Sequence, residues 1–197
     1  NPQTVKGVLG GGTIISDHFL QVNINEDVAL LKALMIKLFE MAETRPDILD
    51  EDFIASKTAG FEDFKSELHD HDLATLIERS GIPENELDAV AQLLADHSKI
   101  IACWGMGLTQ HVNGVDNIQE VVNLLLMKGS IGKPGAGTCP VRGHSNVQGD
   151  RTIGIAERPP KELLDKISEN FGFTPPQEEG MGVVATIKAM YEGKVKV

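Results

Sequence analysis

The chain has 197 residues, 41% hydrophobic and 24% charged, the make-up of an ordinary folded protein rather than a disordered or fibrous one. Its 18 Lys+Arg against 29 Asp+Glu leave a net charge of −11, which opposes broad attraction to nucleic acid or anionic lipid, so neither is an expected partner. The longest apolar stretch, residues 121–127 interrupted by Asn123, falls far short of the roughly 18 to 20 residues that span a bilayer, and no membrane span is expected.

In chain order, residues 1–24 read as a loop and strand. Gly7, Gly10, Gly11 and Gly12 make residues 4–17 costly to order, and a short strand is expected around 18–22. Residues 25–98 form a helical part. Asn25 is the expected N-cap of its first helix, with Glu26 and Asp27 favouring the positive end of the helix dipole. Leu31, Leu34, Met35, Leu38 and Ala42 then recur at three-and-four spacing, and Pro46 closes the segment.

Three short helices are expected over 50–79, burying Phe53, Ile54, Phe61, Phe64, Leu68, Leu73, Leu76 and Ile77 between acidic turns. His69 and His71 are two apart and share no helix face, so they read as a solvated turn rather than a metal pair. Gly81 breaks the chain. Pro83 and Glu84 start a helix whose stripe of Leu87, Val90, Ala91 and Leu94 is expected to pack on a sheet.

The segment 99–158 is the informative one. Lys99-Ile100-Ile101-Ala102-Cys103-Trp104 is the continuous apolar run of a parallel strand covered on both faces, and Cys103 is expected to be buried in it. Gly105-Met106-Gly107 follows, then a helix from about Asp116 to Met127, a β-loop-α unit of the kind that binds ligands beyond the strand's carboxyl end. Gly105-x-Gly107 lacks the third glycine of a dinucleotide fingerprint, so a plain structural turn stays open. Residues 129–149 are too long for a simple connector. There Arg142, His144, Asn146 and Gln148 alternate with small residues, and a guanidinium fork suits a carboxylate or phosphate; a solvated polar loop is the alternative.

Residues 159–197 read as C-terminal helices and the start of a strand at Lys194-Val195-Lys196-Val197. With no initial methionine and no secretory signal, the chain is expected to be an internal piece of a larger protein. Cys103 and Cys139 lie too far apart for a CxxC clamp, so they supply neither a disulfide framework nor a metal-ligand set, and a reducing, cytoplasmic home is expected.

Together, Trp104-Gly105-Met106-Gly107-Leu108-Thr109-Gln110, Gly129-Ser130-Ile131-Gly132-Lys133-Pro134-Gly135-Ala136-Gly137 and Pro140-Val141-Arg142-Gly143-His144-Ser145-Asn146-Val147-Gln148-Gly149 resemble the pterin-binding region of molybdopterin oxidoreductases. The likeness is to the formate dehydrogenase alpha-subunit-like branch. Asp17-His18-Phe19-Leu20-Gln21-Val22 and Asp52-Phe53-Ile54 resemble the preceding stretch of the same family, in the same order. Asp150-Arg151-Thr152-Ile153-Gly154-Ile155 and the later helices resemble a formate dehydrogenase-like subgroup of ill-defined substrate.

The resemblance implies a central α/β domain, three-layered with a mostly parallel Rossmann-like sheet and a helix-rich first half. It implies a cofactor of molybdenum (or tungsten) held by molybdopterin guanine dinucleotide. Gly105, Gly107, Thr109 and Gln110 would line the pterin or phosphate path, and Gly143, Asn146, Gln148 and Gly149 would lie by the pterin and metal. Arg142 matches the arginine that orients a formate-like carboxylate, and His144 stands beside it where other members often carry glutamine. Asn1 stands where the family often has an aspartate touching the guanine base. No residue of the chain is implied as a metal ligand. The metal-ligating residue, the C-terminal β-barrel and any segment holding a 4Fe-4S cluster would belong to the rest of the parent polypeptide. An electron-transfer partner would act with it, and the chain alone would not turn over.

Two rivals remain. An α/β nucleotide-binding domain of another class, such as a thiamine-diphosphate enzyme, shares the β-loop-α unit but has no use for residues 142–149. A non-catalytic, acidic helical interaction module would bind through residues 47–78 instead.

Overall fold

An unusually apolar helix, α1 (Asp27–Ala42), occupies the middle of the first part of the chain. Its three-and-four stripe predicts one buried face, yet every residue from Lys32 to Phe39 is buried. The two lysines in that run are accommodated through their ammonium groups. Lys32 Nζ reaches Glu67 Oε1 at 2.6 Å and Glu120 Oε1 at 3.8 Å, and Lys37 Nζ reaches Asp88 Oδ1 at 2.7 Å and Glu84 Oε1 at 3.2 Å. Long stems pack in the core while paired charges avoid the penalty of an unpartnered buried ion.

This is a computed structural model, which describes residues 5, 9–10, 15–156 and 158–195. The described chain divides into two units, one ending at Arg142 and one beginning at Gly143. Asn1, Gly7, Gly11, Gly12, Lys196 and Val197 lie outside the described residues.

The helix does not start from Asn25. That residue sits at φ 70°, in the left-handed region that asparagine tolerates better than most side chains, and it turns the chain into the helix instead of capping it. Residues 18–22 do not form the expected strand either; among the described residues no neighbour pairs with them, and an extended segment without a partner is not a strand.

After a turn of 3-10 helix (Pro46–Ile48) come the three expected short helices, α2 (Glu51–Lys57), α3 (Phe61–His69) and α4 (Leu73–Ser80). Two are fixed by acidic caps: Asp50 accepts the Phe53 N–H at 3.1 Å, and Asp72 accepts the Thr75 N–H at 3.0 Å. Gly81, at φ 72°, terminates α4, and α5 (Glu84–Asp96) follows Pro83. The sequence has α5 packing on a sheet; its apolar stripe packs on α1 instead. Leu34, Met35, Leu38, Leu68, Leu76, Leu87 and Ala91 form the resulting core.

The sheet comprises β1 (Ile101–Trp104) and β2 (Gly137–Pro140), parallel and in register from Ile101 opposite Gly137 to Trp104 opposite Pro140. Between them lie α6 (Met106–Thr109) and α7 (Gly114–Met127), so the α/β character and parallel pairing match the expected fold class. β1 is not covered on both faces: Ile101 and Cys103 are exposed, and Ala102 and Trp104 are half-buried. An apolar run becomes a doubly buried strand only where neighbouring layers cover it, and a two-stranded pair offers little cover.

The second unit holds α8 (Val147–Thr152), α9 (Lys161–Phe171) and α10 (Val183–Tyr191). Among its described residues only Pro175 and Ala189 are buried. Lys194 and Val195 pair with no strand. No helix among the described residues is long and apolar enough to cross a membrane.

Glu120, on α7 beneath Lys32, is 8% exposed, and burial pushes its carboxyl above the ordinary value of 4.5, against the hydrogen bond from Asn123 and the nearby Lys32 charge. An acid with a raised folded-state pKa binds more protons folded than unfolded, so stability falls as pH rises from about 4.5 through the raised value. Glu120→Gln is expected to remove that downward slope, read as Tm against pH. The carboxyl of Glu67, held low chiefly by its hydrogen bond from Lys32, contributes the opposite slope, lost as pH falls below 4.5, and serves as the internal control.

Candidate functional site

The carboxyl ends of β1 and β2 meet at one place. The Val141 N–H donates to the Trp104 carbonyl at 2.7 Å, which sets Arg142 beside the turn that begins at Gly105. A Cβ on Gly105 would stand 3.5 Å from the Val141 carbonyl oxygen, an ordinary contact. A Cβ on Gly107 would meet nothing within 4 Å, and neither residue has positive φ. The chain's own packing therefore does not require glycine at either position, and the lack of side chains leaves room over the backbone. Thr109 and Gln110 end this turn, both exposed, with Gln110 Nε2 3.5 Å from Met106 Sδ.

The turn is held from behind by groups that the sequence reading missed. Asn117 is buried and donates from Nδ2 to the Leu108 carbonyl at 2.8 Å; His111 Nε2 contacts the Gly107 carbonyl at 2.7 Å. The available signal was Asn117's place four residues before Val121, a polar residue on an apolar stripe. Gly114, at the start of α7, is required by close approach: a Cβ there would stand 2.5 Å from the Thr109 carbonyl oxygen, which is backbone and cannot swing away. Gly114→Ala is expected to destabilise by about 1–3 kcal/mol, the usual cost of overpacking, seen as a lowered Tm.

Arg142, His144, Asn146 and Gln148 are all exposed, and their side chains make no hydrogen bond or ion pair among the described residues. Arg142 closes the first unit, with Gly105, Gly107, Thr109 and Gln110 in that same unit; Gly143, His144, Asn146, Gln148 and Gly149 belong to the second. The supposed long loop is in fact subdivided. β2 occupies its middle, Asn146 precedes α8, and Gln148 and Gly149 lie within α8, where the Thr152 hydroxyl donates to the Gln148 carbonyl at 2.8 Å. Asn1, the expected guanine contact, falls outside the described residues.

Lys133, at the start of the same loop, is not free for a phosphate: its Nζ pairs with Asp50 Oδ2 at 3.2 Å. The Asp50 carboxyl is held below its usual range first by the Phe53 N–H and then by Lys133. No group of three or more His, Cys, Asp or Glu side chains among the described residues is arranged to hold a metal ion. His71 Nε2 lies 2.9 Å from Lys32 Nζ and 3.5 Å from Glu67 Oε1, within a charged pair rather than a metal-ligand group.

What the strand ends offer chemically is accessible backbone at a glycine turn, two polar side chains, and one unpaired guanidinium. That donor set suits an anionic ligand with both a phosphate and a planar carboxylate to satisfy.

No family model matches the chain. Over 198 residues it is 44% identical to a Mycobacterium bovis protein named as an oxidoreductase, an alignment covering 100% of this chain and 25% of that protein. It is 42% identical over 189 residues to the protein YdeP of Escherichia coli (strain K12), covering 93% of this chain and 25% of YdeP. A Staphylococcus aureus (strain USA300) protein whose name provisionally assigns it to the formate dehydrogenases is 29% identical over 188 residues, 91% of this chain and 19% of that protein. The chain thus spans about a quarter of the length of the first two and less of the third.

Proposed function

We propose that the chain is the cofactor-binding α/β portion of a larger, cytoplasmic molybdopterin-dependent oxidoreductase resembling formate dehydrogenase, acting on formate or a similar small carboxylate. The observation that carries this reading is the turn after β1: glycine backbone left open for no packing reason, directly beside the unpaired Arg142. The name of the Mycobacterium bovis relative supports the oxidoreductase part of this reading, and the provisional name of the Staphylococcus aureus relative is consistent with a formate-type substrate.

In this reading the donors fit molybdopterin guanine dinucleotide. Gly105, Gly107, Thr109 and Gln110 would hold its pterin or phosphates through backbone N–H groups and short polar side chains; for Gly143, Asn146, Gln148 and Gly149 of the second unit, and for Asn1, a cofactor role rests on the sequence resemblance alone. When bound, that cofactor supplies a molybdenum or tungsten ion able to accept the two electrons of the substrate. Arg142 grips the carboxylate with both arms of its fork, fixing which bond faces the cofactor, and its permanent charge stabilises negative charge that develops during transfer. His144, in the second unit, has both ring nitrogens unengaged among the described residues and so is free to donate a hydrogen bond or hold a proton. The metal ligand, the second half of the cofactor site, any 4Fe-4S cluster and the docking point of an electron-transfer partner would lie in the remainder of the polypeptide.

The test is made on the whole polypeptide, purified without oxygen, by quantifying molybdenum, tungsten and released guanine-dinucleotide pterin. Wild type is expected to contain metal and pterin. Gly107→Ala is expected to keep or slightly raise Tm, since replacing glycine where φ is compatible stabilises by about 0.4–1 kcal/mol, while retaining less pterin. Wild-type protein devoid of both under conditions that load a control molybdoenzyme would overturn the reading.

A further inference from the structure

Cys103 and Cys139, distant in sequence, are directly opposite each other in the β1–β2 register. Side chains of directly paired residues on parallel strands leave the sheet on the same face, so the two thiols are neighbours. Paired Cα atoms on adjacent strands are about 4.7–4.9 Å apart, inside the window of roughly 4.4–6.8 Å that a disulfide bridges. Both cysteines are free and exposed. Their register cannot slide, because the Gly137 N–H donates to the Ile100 carbonyl at 2.9 Å on one side and the Val141 N–H to the Trp104 carbonyl at 2.7 Å on the other. The sequence spacing excludes a CxxC clamp, but the crossover through α6 and α7 builds an equivalent pair in space.

We propose that Cys103 and Cys139 are a redox-modification site, a dithiol that converts reversibly to a cross-strand disulfide by exchange with a low-molecular-weight disulfide of the glutathione class. The exchange has two steps. One of the two thiolates, having lost its proton to solvent, attacks one sulfur of the small disulfide; an S–S bond to that cysteine forms, the original S–S bond breaks, and one small thiol leaves. The other thiolate then attacks the sulfur of the first cysteine, forming the protein disulfide and expelling the second small thiol. Two electrons and two protons pass from the protein to the small disulfide, so the protein is oxidised and the co-reactant reduced.

The two thiols sense each other: local desolvation, then the hydrogen bond with Cys139 and its charge, push the Cys103 thiol above its usual range. A bond exposed at the face of a two-stranded pair is of the labile, easily reduced kind rather than a permanent staple, so the dithiol is the resting form in a reducing compartment. Because Gly105 follows Cys103 by two residues and Arg142 follows Cys139 by three, the couple lies at the base of the candidate site.

The experiment uses the whole polypeptide, folded and reduced, incubated with oxidised glutathione, then alkylated with iodoacetamide, digested and mapped by mass spectrometry. The expected product is a peptide pair joined between Cys103 and Cys139, two hydrogens lighter than its reduced components and separated again by dithiothreitol. Cys103→Ser is expected to stop at a glutathione adduct on Cys139, and Cys139→Ser at an adduct on Cys103. Separate alkylation of both cysteines after oxidant treatment, glutathione on both without a link, or reaction only after denaturation would each overturn the proposal. None of these readouts depends on metal, pterin or turnover, so failure here is distinct from failure of the proposed function.

Discussion

Under the proposed function, Arg142→Ala is expected to lower oxidation of a small carboxylate by the whole polypeptide about a hundred- to a thousand-fold, the scale seen when one preorganised electrostatic contact to a transition state is removed. The side chain is exposed and unpaired among the described residues, so its loss breaks no fold contact; Tm and metal content are expected to stay at the wild-type value. Arg142→Lys keeps the charge but not the planar two-armed fork, and is expected to recover only part of the rate. The decisive measurement is a steady-state comparison of the three proteins at matched pterin content. A variant that loses pterin along with activity would place Arg142 on the cofactor rather than on the substrate, and an alanine variant with undiminished rate would remove it from the site.

Leu38→Ala carries the largest expected cost to the fold, about 2–5 kcal/mol, as for other fully buried leucines truncated in a packed core. Leu38 is 0% exposed and belongs to the cluster that joins α1 to its neighbours. Urea unfolding is expected to show the lower midpoint at unchanged slope. Val112→Ala, at a fully exposed side chain after the Gly105 turn, is the matched control and is expected to change stability by no more than about 0.5 kcal/mol. Equal effects from the two would contradict the placement of the core.

The helices of the first unit are legible because each announces itself locally. Asp50 and Asp72 precede apolar positions at three-and-four spacing, and Gly81 and Pro83 mark a stop and a start. What could not be read depends on the rest of the fold. Nothing in the run from Lys99 to Trp104 says whether a second layer covers it, so Cys103 reads as buried and is exposed. Nothing local separates an asparagine that caps a helix from one that turns left-handed before it, as Asn25 does.

The lysines at 32 and 37 look like solvated breaks in an apolar stripe, because their partners Glu67, Glu84, Asp88 and Glu120 arrive from other helices. At the candidate site, the Gly105 turn and Arg142 were picked out by residue type and by resemblance, whereas Asn117 shows in the sequence only as a polar break in an apolar stripe, and its bond to Leu108 and the His111 contact with Gly107 emerge once α6 and α7 are folded against each other. The Cys103–Cys139 pairing was hidden for a related reason: the register of a parallel pair is set by the crossover between the strands, not by either strand alone.

The burial of α1 on all sides has a consequence for synthesis. α3, α4, α5 and α7, which cover it, all follow it in the chain, and the last of its core partners, Leu124 and Met127, are translated long after Phe39. At ribosomal rates of about 5–20 residues per second, the most buried helix among the described residues waits several seconds for its full set of neighbours. Through that interval a nascent chain leaves Leu34, Met35, Leu38 and Phe39 without their core partners, so slowed translation of the later helices is expected to prolong the exposure of an aggregation-prone stretch.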